Sequence, residues 1–245
     1  MLNFDNFDVL TFDCYGTLID WEAGIWGALQ PILKKYGCDL SVDQALELYA
    51  ELESAAEHEE FHPYREILRI TLERMGDRLG FSPSREELEQ FSISVKDWPA
   101  FPDSPSALAD LKKKYKLAIL SNVDDDLFAY SARRLGVEFD WVITAQQLKS
   151  YKPSLANFQG AIDRIGLPKG KILHVAQSLF HDIAPAQEMG LTTVWINRRH
   201  DKVGFGATPP AHAHPDLELP DLASLAKLTG GAVSSRPSEI GTNPI

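Results

Sequence analysis

The hydrophobic period of the chain changes once and then keeps its new form, and this constrains the fold more than any other feature. A short apolar run, "FDVLTFD" (residues 7–13), is rich in strand formers and too short for a helix. Residues 22–96 then carry helical spacing. Ile25, Trp26, Leu29, Ile32, Leu33 and Tyr36 fall on one face, with Pro31 as an expected kink. Ala45, Leu48, Tyr49, Leu52, Ala55 and Ala56 form a second stripe, and Tyr64, Ile67, Leu68, Leu72, Met75 and Leu79 a third. "SREE" (84–87) is a capping box that opens a fourth helix. Beyond the proline-rich "WPAFPDSP", strands at 116–121, 140–145, 171–176 and 192–197 alternate with helices at 125–135, 155–165 and 181–189.

Strands spaced by helices mean βαβ units and a parallel sheet. The order therefore predicts an α/β fold: a Rossmann-like parallel sheet core (residues 1–17 and 99–230) with an inserted helical cap (18–98). Hinges are expected at 18–21 and 97–101, and the breaker-rich residues 231–245 are expected to form a disordered tail.

The formal net charge of −11 argues against nucleic acid and against an anionic membrane surface as partners. It also means that a small anionic substrate must be held by local cations. No apolar stretch approaches the roughly 20 residues of a membrane helix. The opening "MLNFDNFDVL" lacks the marks of a signal peptide, and two cysteines, Cys14 and Cys38, suggest no disulfide framework. A cytoplasmic location is the expectation.

Ligands of such sheets bind beyond the carboxyl ends of the strands. Asp13, Ser121, Asn122 and Gln177 stand at those ends, and Lys152 and Asp182 follow shortly after two of them. Thr17 can hydrogen-bond Asp13 and aim it. Each has a plainer alternative: a turn aspartate, a strand terminus, a surface lysine, a helix-capping aspartate. Cys14 should point to the face opposite Asp13 and be a small buried residue. His174 reads as a hydrogen-bonded core histidine. "HAH" at 212–214 reads as loop rather than a metal pair.

"FDCYGTL", "LAILSN", "YKP" and "VAQSLFHDIAPAQEMGL", in this order, resemble the four motifs of the haloacid dehalogenase superfamily. Within it the chain resembles the (S)-2-haloacid dehalogenase branch. The resemblance implies a nucleophilic Asp13 that forms an aspartyl ester with a short 2-halo carboxylic acid. Lys152 and Asp182 would then help water to hydrolyse the ester, and Thr17 and Ser121 would orient Asp13 and the substrate. Tyr15, Asn122, Gln177 and Arg65 join Ser121 as candidate substrate contacts.

Tyr15 stands where phosphatases of the superfamily carry an acid. A tyrosine of pKa near 10 protonates a leaving alkoxide poorly, whereas a halide needs no proton. Gln177 stands where those phosphatases carry a metal-binding aspartate, so neither a metal nor any other cofactor is expected. The resemblance also suggests a homodimer through the cap helices.

Two departures stand out. The region matching the family's cap arginine, "LELYAELESAAEHEE", is acidic and has no Lys or Arg, leaving Arg65 and Arg69 on the next helix as candidates. Leu179 and Phe158 replace an asparagine and a tyrosine of the family. A Mg²⁺-dependent small-molecule phosphatase, and a non-catalytic anion-binding or interaction module, are the alternative readings.

Overall fold

The computed structural model describes residues 2–230; the tail expected at 231–245 lies outside the described residues. β1 (Val9–Phe12) opens the chain and is followed by four helices: α1 (Trp21–Lys35), α2 (Val42–Glu57), α3 (Tyr64–Leu79) and α4 (Arg85–Ser92). Then come α5 (Ser104–Lys112), β2 (Lys116–Ser121), α6 (Asp125–Leu135), β3 (Trp141–Thr144), α7 (Ala145–Leu148) and α8 (Leu155–Ile165). β4 (Ile172–Ala176), α9 (Ala184–Glu188), β5 (Thr192–Ile196), β6 (Leu217–Leu219) and α10 (Leu222–Thr229) complete it.

The six strands among the described residues all run parallel, in the order β3-β2-β1-β4-β5-β6. β1 lies between β2 and β4 and is buried along its length, so the residue that leaves its carboxyl end emerges mid-sheet. The helices at 125–135 and 155–165 fall where the sequence places them. The expected helix at 181–189 instead begins with a wide π-type turn, Leu179–Ile183, and α9 follows it. α5 and the edge strand β6 are additions to the elements legible in the sequence.

The four helices after β1 form for local reasons. Asp20 caps α1 by accepting from the Ala23 N–H. Ser41 with Gln44, and Ser84 with Glu87, make reciprocal capping boxes at α2 and α4. Pro31 sits within α1, which runs on through it to Lys35. Gly24 allows a close approach: a Cβ there would enter the ring of Trp98, which packs on α1.

α3 has no side-chain cap of its own. Asp124, at the end of β2, supplies one from across the cleft, accepting from the Tyr64 and Arg65 N–H groups at 2.9 and 3.1 Å. The two crossing segments pair with each other through an antiparallel bridge between Ile19 and Ala100. Asp20 N–H donates to Pro99 and Phe101 N–H to Leu18. Arg198 grips the same point, donating to the Thr17 carbonyl and to Asp103.

One apolar cluster runs without a break from the sheet (Phe12, Leu117, Val175) into the helices (Leu29, Tyr49, Leu68). No helix among the described residues is long and apolar enough to cross a membrane.

Candidate active site

Asp13 is held in the ladder by one last bond, its N–H donating to the Val175 carbonyl at 3.1 Å. The chain then turns sharply, with the N–H groups of Leu18 and Ile19 both donating to the Cys14 carbonyl. Gly16 adopts φ +93°, and a Cβ there would come within 2.9 Å of Gln177 Oε1 and Trp21 Nε1, so both conformation and space call for glycine. The turn returns Thr17 to Asp13: its hydroxyl donates to Asp13 Oδ2 at 2.7 Å and accepts the Gln177 N–H at 2.8 Å.

The other oxygen of Asp13 meets Lys152. The lysine is buried, and its ammonium donates to Asp13 Oδ1 at 2.8 Å, Asp182 Oδ1 at 2.7 Å and the Leu120 carbonyl at 2.9 Å. Three donors of an ammonium thus meet three acceptors, which is what allows a charged lysine to be buried. Asn122 holds the lysine's backbone at both ends, accepting from its N–H at 2.8 Å and donating to its carbonyl at 3.0 Å. Behind Asp182, His174 Nε2 lies 3.0 Å from Oδ1, and Thr11 Oγ1 lies 2.9 Å from Nδ1 of the same ring.

The electrostatics follow from this packing. Burial pushes the Asp13 carboxyl up, an effect that Lys152 and Thr17 offset only in part. Burial would also raise Asp182, but Lys152 and His174 outweigh it and hold that carboxyl below its ordinary value. Burial acts to lower Lys152, and the two carboxylates overcome it, keeping the ammonium charged.

Above these groups is a cavity of about 30 Å³, closed by α1, α2 and α3. A space of this size admits very few heavy atoms unless the helices move. Six of the residues singled out in the sequence line it: Asp13, Tyr15, Ser121, Asn122, Lys152 and Asp182. Thr17 stands directly behind Asp13. Tyr15 contributes its ring, set edge-on to Trp98 at 5.5 Å, while its hydroxyl is engaged with Ser131 Oγ at 3.1 Å. Burial pushes its hydroxyl well above the ordinary pKa, so it holds its proton.

Gln177 and Arg65 are not brought to the cavity. Gln177 takes part through its main chain, the N–H to Thr17 and the carbonyl to Trp195 Nε1; its side chain points toward Gly16 and Trp21 behind the turn. Arg65 is drawn away by two aspartates, donating to Asp124 at 3.2 Å and Asp126 at 2.5 Å, and so ties α3 to the sheet. Arg69 pairs with Glu66 and Glu89. Phe158 is fully buried and packs edge-on to His174. Cys14 lies in the apolar core.

The sequence reading missed Glu53, Glu57 and Tyr64, which line the cavity together with His181, one of the histidines that the sequence allows to face the cleft. Glu53 accepts from the hydroxyls of Tyr49 at 2.8 Å and Tyr64 at 2.6 Å. Glu57 accepts from Asn122 Nδ2 at 3.2 and 3.3 Å, and His181 Nε2 lies 3.9 Å from it. Glu53 and Glu57 follow Tyr49 at successive four-residue steps, which was the available signal: one side of the buried stripe of α2 continues as carboxylates. Of the six buried side-chain atoms without a partner among the described residues, three belong to residues that line the cavity: Ser121 Oγ, His181 Nε2 and Asp182 Oδ2.

A Mg²⁺ ion does not fit this donor set. Asp13 and Asp182 each commit an oxygen to Lys152, and Gln177 turns away. Among the described residues no three His, Cys, Asp or Glu side chains cluster closely enough to hold a metal.

Residues 10–196 match the family model of haloacid dehalogenase-like hydrolases. The chain belongs to that family. Among curated members, it is 28 % identical over 214 residues to (S)-2-haloacid dehalogenase 4A of Burkholderia cepacia, covering 85 % of this chain and 90 % of that one. It is 27 % identical to (S)-2-haloacid dehalogenase 1 of a Pseudomonas species (strain CBS-3), covering 89 % and 96 %. The fold is that of the L-2-haloacid dehalogenase of Xanthobacter autotrophicus with chloropropionic acid covalently bound, with TM-score 0.74 at 19 % identity, covering 92 % and 99 %. In this family member, then, the helices after β1 close over the carboxyl ends of β1, β2 and β4.

Proposed function

We propose that this chain hydrolyses the carbon–halogen bond of a short acyl compound, halogenated next to its carbonyl, through an ester on Asp13. The observation that carries the reading is the buried Asp13 carboxylate, held by Thr17 on one oxygen and Lys152 on the other, at the floor of a small closed cavity. The relatives named for (S)-2-haloacids support the position of the halogen.

In the first step an Asp13 oxygen attacks the carbon opposite the halogen. The new carbon–oxygen bond forms as the halide leaves with the bonding pair, so a stereocentre inverts. The halide needs no proton, which suits a site whose Tyr15 hydroxyl is engaged elsewhere. Ser121, whose hydroxyl has no partner, is a donor on its way out.

In the second step water attacks the Asp13 carboxyl carbon. Asp182 takes the water's proton on Oδ2, the oxygen without a partner, and Lys152 stabilises the negative charge on the tetrahedral intermediate. The ester bond to the acyl carbon breaks, and the product leaves as the hydroxy compound after taking up a proton. The helices of residues 18–98 act as a lid hinged at 18–21 and 97–101, opening to admit substrate.

The test is halide release from 2-chloroacetate, 2-chloropropionate and 2-chloroacetamide, with and without EDTA, by the wild type and Asp13→Asn. Release that resists EDTA and is lost in the variant is expected. No release from any of the three, or release that survives Asp13→Asn, would contradict the reading.

A further inference from the structure

Among the described residues that line the cavity, Lys152 is the only cation, and it is already engaged. Lys152 bridges Asp13 and Asp182, while Arg65 is turned outward to Asp124 and Asp126. In the roof, where a substrate's carboxylate would need a positive partner, stand the buried side chains of Glu53 and Glu57. With its four carboxylates ionised the cavity carries more negative charge than one lysine can balance. Burial already pushes Glu53 up to about 7, and burial together with Glu53 pushes Glu57 well above its ordinary value. A further anion placed beside them would meet like charge wherever they are ionised, whereas an uncharged group would not.

Beside the glutamates are two groups of the opposite hydrogen-bonding character. Ser121 Oγ and His181 Nε2 are buried, face the cavity and have no partner. When the Ser178 hydroxyl donates to His181 Nδ1, 3.2 Å away, Nε2 carries the ring proton. The walls therefore offer acceptors on α2 and donors at the ends of β2 and β4.

We infer that the site selects a substrate whose carbonyl carries an uncharged, hydrogen-bond-donating group, a short 2-halo carboxamide, in place of the carboxylate. The amide N–H groups donate to Glu53 and Glu57, and the amide oxygen accepts from Ser121 or His181. Attack at the halogen-bearing carbon and ester hydrolysis are unchanged, so the product is the 2-hydroxy carboxamide, with the halide and one proton released. This assignment rests on the carbon–halogen reading above and names its substrate class.

The test compares multiple-turnover halide release from 2-chloroacetamide and 2-chloroacetate at neutral pH, so that single alkylation of Cys38 does not count. The wild type is expected to favour the amide by about 100-fold or more in kcat/KM. Glu53→Gln and Glu57→Gln, each checked for its thermal transition, are expected to narrow that ratio by about 10-fold, chiefly by improving chloroacetate. Equal or better use of chloroacetate by the wild type, or a ratio unmoved in both folded variants, would overturn the assignment. Binding of glycolamide and glycolate to the wild type, read by calorimetry, decides the point without turnover. Glycolamide binding alone sustains the assignment even if no halide is released, a result that would remove only the carbon–halogen reading. Glycolate binding as tightly as glycolamide overturns the assignment whatever the halide assay reads.

Discussion

Lys152, from the loop between α7 and α8, holds Asp13 by a 2.8 Å bond, and both side chains are buried. The pair cannot be separated from Asp182, which takes another of the three ammonium protons at 2.7 Å. The charge of Asp13 is thus influenced by a residue 139 positions away in the chain.

Replacing that lysine therefore affects folding and chemistry together. Lys152→Met leaves two buried carboxylates with no cation between them. A loss of roughly 3–5 kcal/mol in unfolding free energy is expected, as when one partner of a buried ion pair is removed. Halide release is expected to fall by at least about 100-fold, because the charge on the tetrahedral intermediate loses its partner. Urea unfolding and steady-state assays measure the two effects separately.

Arg65 and Asp124 make a different claim testable. Asp124 caps α3 and pairs with Arg65 across the cleft, so Asp124→Ala removes two backbone bonds and one ion pair. A loss of roughly 2 kcal/mol or more is expected. Arg65→Met is expected to lower the melting temperature modestly and leave KM within about 3-fold, since the arginine is 34 % exposed and the buried Asp124 keeps its two backbone donors. A KM raised 10-fold or more in Arg65→Met would instead mean that this arginine reaches the substrate.

The buried Glu53 gives a signed pH dependence. Its pKa rises from the ordinary 4.5 to about 7. A carboxyl raised in this way binds its proton more tightly when folded, so its contribution is complete below about pH 4.5 and is lost as pH rises to about 7. His181, lowered by burial from 6.5 to about 4, acts in the opposite sense: its contribution is present above 6.5 and lost as pH falls toward 4. The stability of Glu53→Gln relative to the wild type is therefore expected to increase steadily from pH 4.5 to 7. A flat difference across that window, measured by denaturant titration at several pH values, would contradict the burial assigned to Glu53.

The sheet was legible because its strands are buried, β-branched and separated by helices of ordinary length. β6 was not, since it is three residues long, half exposed and preceded by a proline-rich loop. α5 was hidden by the prolines that precede it, one of which occupies its first turn. Asp13, Thr17, Lys152 and Asp182 were legible as a set because parallel topology brings strand ends together whatever the side-chain detail. Gln177 and Arg65 stand away from the cavity for a shared reason: their side chains could point in more than one direction. Gln177 is fixed by its main-chain bonds, and Arg65 is claimed by Asp124 and Asp126. Glu53 and Glu57 were read as part of an acidic stretch that lacked a cation. Their burial depends on Tyr49, Tyr64 and Asn122 reaching them from three separate elements.

The most direct measurement is a single turnover with enzyme in excess over a 2-chloro substrate, in water enriched in heavy oxygen, followed by mass spectrometry of the peptide that contains Asp13. Hydrolysis at the Asp13 carboxyl carbon puts the heavy oxygen into Asp13 and leaves the first-turnover product unlabelled. Heavy oxygen appearing at once in the product, with Asp13 unlabelled, would mean that water attacks the substrate directly and that no ester forms.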